Sequence, residues 1–440
     1  METFTGSRQP HPERPTTFPA PKYSPFGCSG SLATRILIYS HDTFGLGNIR
    51  RMLAIAEHLV ERDPDAHVLL ISGSPMLHGF RLSPRIDFIK LPCLTRDCTG
   101  KYQVRSLPMQ RGQLLTMRAR LIHSAVQDFQ PDLLLVDKKP LGVEGELTMA
   151  LAGLDDLPHR PAVALVLRDI LDTPDVTRRI WTKHDYHSQI KRYYDLVLVA
   201  GQPDIFDVAD AYRFPESTRR RLRYCGYIQR GRLPAFTAKQ ADSPHILVSV
   251  GGGGDGEKPI RAFIEGTLSR RASGWAPRAR IFTGPEMAAE TRAALVALAS
   301  GQPGIEIHEF SDSMENEIAT ADLVVCMCGY NTICEVLAAG KRVVAIPRVE
   351  PVQEQWIRAQ RFAERGLLTV IHPDKLNAAS LMSAIDAALK ADTSDQSARL
   401  DFKGLERIQY WLQRLLAARR RPPRNHFADF IPIHRKITHA

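Results

Sequence analysis

The chain has 440 residues, of which 44% are hydrophobic and 24% charged, so it is long enough for two domain cores and ordinary for a globular protein. Its seven cysteines are odd in number and scattered, which indicates reduced thiols in a cytosolic setting and no disulfide framework. The N-terminus lacks the apolar core of a signal peptide, and no apolar run approaches the roughly 18 to 20 residues that span a bilayer. We therefore expect a soluble or peripheral protein.

The positive charge of the chain is concentrated at its C-terminus. The net charge is +10, and residues 397–440 hold ten Lys and Arg residues against three acidic ones, a net charge of +7. Such a cluster suits an anionic membrane surface, and the alternative is a solvated helix end. Nucleic acid is a disfavoured partner, because no RNA-binding aromatic motif or zinc-finger spacing accompanies the basic residues.

Residues 1–34 are rich in Pro, Ser and Thr and are predicted to be disordered, because Pro blocks regular pairing and little apolar surface is available to bury. From Arg35 onward, apolar β-branched runs alternate with helical patterns. The strand-like runs are "RILIYS", "HVLLISG", "IDFIKLP", "DLLLVDK", "AVALVLRD", "DLVLVAG" and "RYCGYI". Near-continuous apolar strands separated by helices indicate a parallel sheet covered on both faces.

The pattern restarts after the polar stretch "QRGRLPAFTAKQADSP". The second series of strand-like runs is "HILVSVGGG", "ARIFTG", "IEIHEF", "DLVVCMCG", "RVVAIPR" and "LLTVIH". The predicted fold class is therefore α/β, with two Rossmann-like doubly wound domains that face a central cleft. The predicted units are a disordered N-terminus over 1–34, a first domain over 35–235, a linker over 236–244, a second domain over 245–395, and a terminal helix with a basic tail over 396–440.

A glycine-containing loop follows the first strand of each predicted domain. "YSHDTFGLGN" places Gly45 and Gly47 there, and "VSVGGGGDG" places Gly251–Gly254 there. Glycines let backbone N–H groups approach a ligand, and a helix N-terminus favours negative charge. Neither loop matches G-x-x-x-x-G-K-[ST], which disfavours a P-loop kinase or ATPase, and "GLGN" also differs from G-x-G-x-x-G. We predict that phosphate binds the second loop, whose four glycines expose the most backbone.

Three cysteines lie close together in "CMCGYNTICE", at positions 326, 328 and 334. Their spacing lacks the C-x₂-C pairing typical of structural zinc sites, so a metal site is disfavoured. We expect Cys326 and Cys328 to be small buried hydrophobes on a strand. "GYNT" and a helical pattern follow, so the segment predicts a strand whose carboxyl end delivers a ligand to a helix N-terminus.

The second half, with "VSVGGGGDG", "FSDSMENEIATADLVVCMCGYNTICEVLAAG" and "EPVQEQWIRAQRFAERG", resembles the nucleotide-binding domain of GT-B glycosyltransferases. It is most similar to glycosyltransferase family 28 and the bacterial enzymes that add N-acetylglucosamine to lipid I. The first half, with "SHDTFGLGN" and "LLLVDKKPLGVEGE", resembles a bacterial branch of predicted glycosyltransferases. The resemblance covers roughly residues 35–395 and implies an acceptor domain followed by a nucleotide-sugar-binding domain.

The resemblance implies that Glu335 accepts hydrogen bonds from the ribose hydroxyls, a role that suits a carboxylate with two acceptor oxygens. The alternative is a capping box of Thr332 and Glu335, in which the glutamate bonds back to its own helix. Arg348, just after a strand, is either a phosphate ligand or a surface arginine.

The same resemblance implies the other donor contacts. The glycine loop and the amides near Gly329 would hold the diphosphate, with Thr332 assisting. Glu354 and Gln355 would contact the donor sugar, although Glu354 alternatively only favours a helix N-terminus electrostatically. The segment 310–314 would meet the uracil edge. The predicted donor-binding set is Gly251, Gly252, Gly253, Gly254, Phe310, Met314, Gly329, Asn331, Thr332, Glu335, Glu354 and Gln355.

The first glycine loop departs from the pattern of the resemblance. Asn48 stands where many inverting relatives have a histidine, and an amide cannot act as a base. Asp137, with Lys138, ends another strand that faces the same cleft, although an Asp at a strand end often only caps the next helix. The predicted catalytic candidates are His41, Asp42 and Asp169, and the acceptor-side loop is Gly45, Gly47 and Asn48.

The predicted function is sugar transfer from a nucleotide sugar, a UDP-sugar in the first instance, to an unknown glycan, lipid-linked or small-molecule acceptor, with inversion. No cofactor or catalytic metal is expected, because loop amides and helix dipoles would stabilise the leaving diphosphate. The alternatives are a nucleotide-sugar epimerase or hydrolase, and a non-catalytic nucleotide-sugar-binding protein. The expected location is cytoplasmic, with a peripheral position at the inner membrane face if the tail binds lipid.

Overall fold

The computed structural model of the protein describes residues 33–41, 47–97, 101–231, 243–391 and 400–420. Almost all of the predicted disordered N-terminus, most of the predicted linker and the basic tail after residue 420 lie outside these ranges. Within them, no helix combines the length and apolarity that crossing a membrane would need.

Seven parallel strands form the first sheet, in the order β3-β2-β1-β6-β7-β8-β9. They are β1 (Thr34–Ser40), β2 (Ala66–Ser72), β3 (Ile86–Lys90), β6 (Leu133–Asp137), β7 (Ala162–Arg168), β8 (Leu196–Ala200) and β9 (Leu222–Tyr224), while β4 (Leu94–Arg96) and β5 (Tyr102–Val104) pair antiparallel in a separate hairpin. Every residue of β6 and β8 is buried, because helices cover both faces of the sheet. The predicted covered parallel sheet is confirmed.

Seven helices accompany this sheet in the described residues. They are α1 (Gly47–Arg62), α2 (Arg111–Phe129), α3 (Thr148–Ala152), α4 (Pro174–Lys183), α5 (Tyr186–Tyr193), α6 (Val208–Ala211) and α7 (Glu216–Arg219). Successive residues of β1 enter different cores: Ile36 and Ile38 face the α1 side, and Leu37 and Tyr39 face the α2 side. This alternation is the period-2 geometry of a strand, applied to a sheet with two buried faces.

The hairpin of β4 and β5 was not predicted, because strands of three residues are too short to form a recognisable apolar run. Leu94, Tyr102, Leu114 and Val143 form a small core of their own between the hairpin and α2. The hairpin packs against α2. Burial lowers the pKa of His41, and the charge of Arg96 at the end of β4 lowers it further.

Six parallel strands form the second sheet, in the order β12-β11-β10-β13-β14-β15. They are β10 (His245–Ser249), β11 (Arg278–Phe282), β12 (Ile305–His308), β13 (Leu323–Cys326), β14 (Arg342–Ala345) and β15 (Thr369–Val370). The accompanying helices are α8 (Glu257–Arg270), α9 (Ala289–Ala299), α10 (Met314–Thr320), α11 (Tyr330–Ala338), α12 (Glu354–Glu364) and α13 (Ala378–Lys390). The strand order reverses between β10 and β13 here, and between β1 and β6 in the first sheet, so each half has a topological switch point.

The last helix, α14 (Gly404–Arg420), returns to the first half of the chain. Its apolar residues Ile408 and Leu412 are buried in the same core as Leu196 and Leu198 of β8. Burial of such a side chain contributes roughly 1.5–3 kcal/mol, which fixes the helix across the first sheet. The predicted terminal helix is therefore confirmed, and its packing joins the end of the chain to the first half.

Candidate functional site

The carboxyl ends of the strands around the two switch points face each other. His41, Lys138 and Asp169 follow the adjacent strands β1, β6 and β7. Across the cleft, the glycine loop follows β10 and Gly329 lies shortly after β13. The two edges touch where Asn331 Nδ2 donates to the carbonyl of Gly47 at 2.9 Å. This juxtaposition is where ligands bind in doubly wound folds.

The second glycine loop has two positions that require glycine. Gly251 has φ +71°, and Gly253 has φ +100°. A Cβ atom on Gly253 would lie 2.2 Å from the carbonyl oxygen of Thr283, so any larger residue would displace the loop. In the part of the chain that the structure describes, the N–H groups of residues 252–254 donate to no protein acceptor. The loop therefore presents open donors at the start of α8, as an anion site requires.

Arg348 lies next to this loop. Its Nη1 is 3.6 Å from the Asp255 carboxylate, and its backbone N–H donates to Gln355 Oε1 at 3.0 Å. Gln355 thus holds the segment that carries Arg348, with its amide Nε2 available for a ligand. The positions of both residues are compatible with their predicted contacts to phosphate and sugar.

Glu335 lies in α11 with only 5% of its surface exposed. Arg230 donates to Glu335 Oε1 through Nε at 2.7 Å and also through Nη2. The alternative of a capping box with Thr332 is wrong, because Gly329 is the N-cap and makes no side-chain cap, so Thr332 is already the third helical residue. Glu335 Oε2 accepts no protein hydrogen bond among the described residues and is available for a ribose hydroxyl.

The turn "CMCGYNT" packs around Tyr330. The guanidinium carbons of Arg51 and Arg358 lie 5.8 and 5.6 Å from the centre of its ring, and its hydroxyl accepts from the N–H of Ile228 at 3.1 Å. Cys326 and Cys328 are 2% and 0% exposed, and burial raises the pKa of the Cys326 thiol to about 11. The predicted burial is confirmed, but β13 ends at Cys326, so Cys328 lies in the turn with φ +56°.

Glu354, the first residue of α12, is 5% exposed and pairs across the cleft with Arg168. Arg168 Nη1 donates to Glu354 Oε1 at 2.9 Å, and Nη2 lies against Oε2. Burial by itself would raise the pKa of Glu354, but Arg168, Arg358 and Lys138 together bring it below its usual range. Glu354 is therefore an anion held between cations of both halves, and a contact to a sugar hydroxyl would have to share it with Arg168.

Asp169 has a different role from the one predicted. Both of its carboxylate oxygens accept from Arg358, at 2.8 Å each, and the two side chains are 1% and 0% exposed. Arg358 also donates to the Cys328 carbonyl at 3.0 Å. A carboxylate locked in a buried bidentate pair has no free oxygen for a substrate proton, so the prediction of Asp169 as a base candidate is wrong. The pair joins β7 to α12 instead.

Asp137 is likewise a supporting residue. Its Oδ1 accepts from Arg51 at 2.5 Å, and its Oδ2 accepts from the backbone N–H of His41 at 3.2 Å. Asn48 completes the support, since its Nδ2 donates to the His41 carbonyl at 2.8 Å. The Asn48 amide therefore fixes the backbone of a neighbouring histidine.

His41 is 3% exposed, and neither ring nitrogen has a hydrogen-bond partner among the described residues. Burial lowers its pKa well below the usual range, and the positive charges of Lys138 and Lys139 lower it further. The imidazole is therefore neutral at pH 7 and has a ring nitrogen with a free lone pair, but its lowered pKa makes it a weaker base than an exposed histidine. Among the predicted catalytic residues, His41 fits the base role; Asp42 and Gly45 lie outside the described residues.

Phe310 and Met314 flank the entrance to α10. Phe310 is 43% exposed, and the guanidinium of Arg50 lies 5.6 Å from the centre of its ring. Met314 is the first residue of α10. It is partly buried and packs against the core that contains Ile318 of α10 and Ile333 of α11. An exposed aromatic ring beside a cation is suited to stack on a base, which is compatible with the predicted uracil contact.

Sequence reasoning missed the arginines that organise the site. Arg51, Arg168, Arg230 and Arg358 each bind an acidic residue at the cleft, and none was singled out. Arg168 directly precedes Asp169 in the quoted run "AVALVLRD", so its position at a strand end was a usable signal. The partners of the other arginines lie 86 to 189 residues away, so only the folded chain brings these pairs together.

Two facing doubly wound sheets with a site between their switch points define the GT-B architecture. The structure resembles the calicheamicin glycosyltransferase CalG4, with a TM-score of 0.59, 15% identity, and coverage of 88% of this chain and 99% of that one. It also resembles Acinetobacter baumannii MurG, with a TM-score of 0.55, 15% identity, and coverage of 87% and 99%. The chain therefore has the GT-B fold.

Residues 247–406 match the model of the glycosyltransferase family 28 C-terminal domain. A curated relative from Acidothermus cellulolyticus is 25% identical over 198 residues, which are 44% of this chain and 53% of the relative. It is a UDP-N-acetylglucosamine--N-acetylmuramyl-(pentapeptide) pyrophosphoryl-undecaprenol N-acetylglucosamine transferase. The enzyme of the same name from Pasteurella multocida is 33% identical over 81 residues, 18% of this chain and 23% of that protein. The chain thus spans between about a quarter and about half the length of these relatives.

Proposed function

We propose that the protein is a glycosyltransferase that uses a nucleotide sugar, with UDP as the nucleotide. The observation that carries the proposal is that the open glycine loop, the helix of Glu335 and His41 all follow strands at the two switch points, whose edges meet where Asn331 donates to Gly47. The family 28 match and the UDP-N-acetylglucosamine named for the relatives support it.

In the proposed reaction, the donor lies on the second half of the chain. Glu335 Oε2 accepts from a ribose hydroxyl while Oε1 stays with Arg230. The diphosphate binds the N–H groups of residues 252–254, and Arg348 lies beside it. Gln355, whose Oε1 accepts from the backbone N–H of Arg348, contacts the sugar through Nε2.

The acceptor hydroxyl attacks the anomeric carbon from the first half of the chain. A bond forms between the acceptor oxygen and the anomeric carbon, and the bond from that carbon to the diphosphate oxygen breaks. The proton of the hydroxyl goes to a ring nitrogen of His41, and the diphosphate leaves with the bonding electron pair. A single displacement of this kind inverts the anomeric centre. The loop N–H groups, the α8 N-terminus and Arg348 stabilise the leaving charge, so the proposal requires no metal ion.

The first experiment is calorimetric binding of UDP to the wild type and to Glu335→Ala. Loss of a charged hydrogen bond costs about 1.5–3 kcal/mol, which corresponds to roughly 10- to 150-fold weaker binding. Glu364→Ala, an exposed glutamate at the end of α12, is the matched control and should bind UDP as the wild type does. Equal affinity for UDP in all three proteins would remove the ribose role of Glu335, and no binding by a folded wild type would remove the proposed function.

A nucleotide-sugar 2-epimerase is the second candidate, because solved structures of such enzymes have the same fold. A putative UDP-N-acetylglucosamine 2-epimerase from Listeria monocytogenes has a TM-score of 0.60 at 13% identity, covering 88% of this chain and 98% of that one. Incubation with UDP-N-acetylglucosamine in the absence of an acceptor separates the candidates. A C2-epimer among the products would favour the epimerase, and an unchanged donor that reacts only with an acceptor would favour the transferase.

We further propose a cytoplasmic protein whose basic C-terminus contacts an anionic membrane, where a lipid-linked acceptor would be available. The support is the charge of +7 in residues 397–440 and the pyrophosphoryl-undecaprenol in the name of the relatives. Vesicles with and without phosphatidylglycerol test the proposal. Deletion of residues 421–440 should abolish binding to the anionic vesicles, and unchanged binding would reject the role of the tail.

A further inference from the structure

Arg50 is a half-buried arginine of the first half that reaches the second half of the chain. It lies in the first turn of α1, the same turn whose Gly47 carbonyl accepts from Asn331. The guanidinium carbon of Arg50 lies 5.6 Å from the centre of the Phe310 ring, which follows β12 of the second sheet. Helix α1 therefore carries a cation to the segment for which a contact to the base of the nucleotide is predicted.

The side chain of Arg50 has no acceptor within the protein. In the part of the chain that the structure describes, it makes neither a hydrogen bond nor an ion pair, and its Nε is buried. The arginines near it differ in this respect, because Arg51 is paired with Asp137 and Arg230 is paired with Glu335. A guanidinium has five N–H donors, and a buried donor without an acceptor is unfavourable. Arg50 is therefore the arginine of this group that a ligand would satisfy.

The charges around Arg50 also favour a ligand with acceptor oxygens. Burial lowers the pKa of Arg50, and the charge of Arg230 lowers it further, while Glu335 and Glu315 oppose these effects. Glu335 already accepts from Arg230 at Oε1, and Glu315 is exposed near the start of α10. The fold thus holds a partly desolvated cation near a carboxylate that has another arginine as its partner. Such a group becomes favourable when an acceptor binds beside it.

The position of Arg50 indicates the base and ribose of the donor rather than its diphosphate. Phe310 follows β12, and Glu335 lies on the helix after β13. The proposed diphosphate ligands follow other strands, since residues 252–254 come after β10 and Arg348 comes after β14. Phe310 remains 43% exposed with the guanidinium beside it, so part of its ring is open to a planar ligand. An aromatic ring, a guanidinium and a carboxylate together suit a nucleoside.

We propose that Arg50 binds the nucleoside of the donor, donating from its guanidinium to an oxygen of the base or ribose while the base lies against Phe310. This inference rests on the proposed transferase function and adds a donor-binding residue from the first half. Arg50 and Arg230 both precede residue 247, where the family 28 match begins, so the nucleoside site takes two arginines from outside the matched domain. A nucleotide bound in this way contacts both edges of the cleft and holds them together.

Calorimetric titration of UDP into three proteins tests the role of Arg50. Arg50→Met removes the donors and the charge while keeping much of the apolar length of the side chain. Arg62→Met removes the same charge from an exposed position at the end of the same helix and is the control. Arg50→Met should bind UDP at least about tenfold more weakly, and the control should bind it as the wild type does.

The same titrations separate this inference from the proposed function. Equal affinity for UDP in the wild type, Arg50→Met and Arg62→Met would overturn the role of Arg50 and leave the proposed function standing. A folded wild type that does not bind UDP would refute the proposed function, and the assignment of Arg50 with it.

Uridine distinguishes a contact to the nucleoside from a contact to the diphosphate, because it carries no phosphate. It is titrated as a competitor of UDP against the wild type and Arg50→Met. A nucleoside contact predicts that Arg50→Met weakens the binding of uridine and UDP by the same factor. A loss confined to UDP, or a wild type that binds UDP without measurable affinity for uridine, would place the binding energy in the diphosphate and overturn the proposal.

Stability without nucleotide separates a binding role from a structural one. Because Arg50 donates to no described residue, Arg50→Met should unfold at the same temperature as the wild type or at a higher one. UDP should raise the unfolding temperature of the wild type more than that of the variant, since the increase follows the affinity. Thermal unfolding with and without UDP measures both. A variant that is less stable than the wild type but gains as much from UDP would show that Arg50 supports the fold, and would overturn the proposal.

A double-mutant cycle with Phe310 tests the proposed geometry. If the base contacts both side chains, Arg50→Met/Phe310→Ala should weaken UDP binding by less than the product of the two single effects. The effects of Arg62→Met and Phe310→Ala should simply multiply, because these residues share no ligand. Effects that also multiply for Arg50 and Phe310 would contradict a shared contact with the base.

Discussion

The two edges of the cleft have the same topology and opposite chemistry. Each is formed by strand ends around a switch point. The edge of the second half combines open backbone donors with two buried carboxylates, Glu335 and Glu354. The edge of the first half has side-chain cations, Lys138 and Lys139, around a neutral His41. The comparison teaches that the parallel sheets fix where a ligand binds, while the loops after the strands decide which ligand it is.

Replacement of His41 should give the largest effect on the first half's edge. His41→Ala removes the proposed base, so kcat for UDP release should fall about 10²- to 10⁴-fold while affinity for UDP stays within twofold. Because the pKa of His41 lies well below the usual range, the wild-type rate should also remain constant on acidification through pH 6. His67→Ala, an exposed histidine on β2, is the control. A parallel loss of rate in the control, or none in His41→Ala, would reject the base.

Arg358→Ala breaks the buried ion pair with Asp169 that joins α12 to β7. This change leaves the buried Asp169 carboxylate without a counter-charge, with only the Ile170 N–H still donating to it, which should cost about 3–5 kcal/mol in the free energy of unfolding. Arg361→Ala removes an exposed arginine from the same helix and should change stability by no more than about 0.5 kcal/mol. Urea denaturation measures both. Similar stability of the two variants would show that the buried pair does not hold the halves together.

A pair of glycine variants tests whether the glycine loop after β10 needs its observed conformation. Gly253→Ala introduces a Cβ 2.2 Å from a carbonyl oxygen at φ +100°, so it should cost about 1–3 kcal/mol of stability and weaken UDP binding. Gly254→Ala meets no atom within 4 Å and should be nearly neutral for stability. Thermal unfolding and UDP calorimetry distinguish the two. A neutral Gly253→Ala would mean that the loop conformation is not required.

The smallest effect concerns the charge of Glu354. The folded-state pKa of Glu354 is lowered, so its ionised form contributes stability above its unfolded pKa, and that contribution is lost as the pH falls through the folded value. The stability difference between the wild type and Glu354→Gln should therefore shrink on acidification below about pH 4.5. Denaturation at pH 7 and pH 3.5 checks this. A difference independent of pH would show that the pairing with Arg168 is not electrostatic.

The burial of the longer strands was predictable because each of them is a run of consecutive apolar residues, as in "DLLLVD" and "DLVLVA". The short β4 and β5 were not, since three residues cannot establish a period, and β4 carries Arg96, whose guanidinium stacks on the Tyr102 ring of β5. Cys328 shows a second limit of prediction from apolar runs, because the run continues past the end of the strand. It reads as part of a strand, but the chain turns after Cys326 and uses the Cys328 carbonyl to bind Arg358.

The residues of the candidate site were likewise predictable only in part. The glycine loop and the turn "CGYNT" were identifiable because glycines, a helix start and a glutamate lie within a few residues of each other. Asp169 was misassigned because its partner is 189 residues away, and the sequence could not show that both carboxylate oxygens are occupied. His41 was one of several candidates until burial, and the absence of a described partner, set it apart.

The sequence by itself determined the main helices and strands, the order of the strands along the chain, and the residues that follow the carboxyl ends of the strands. It did so because hydrophobic period and glycine position are local properties. Only the tertiary structure decided which of these side chains have partners within the protein. Pairing energy depends on distances between residues far apart in sequence, so Asp137, Asp169 and Glu354 are bound by arginines, whereas neither ring nitrogen of His41 has a hydrogen-bond partner among the described residues.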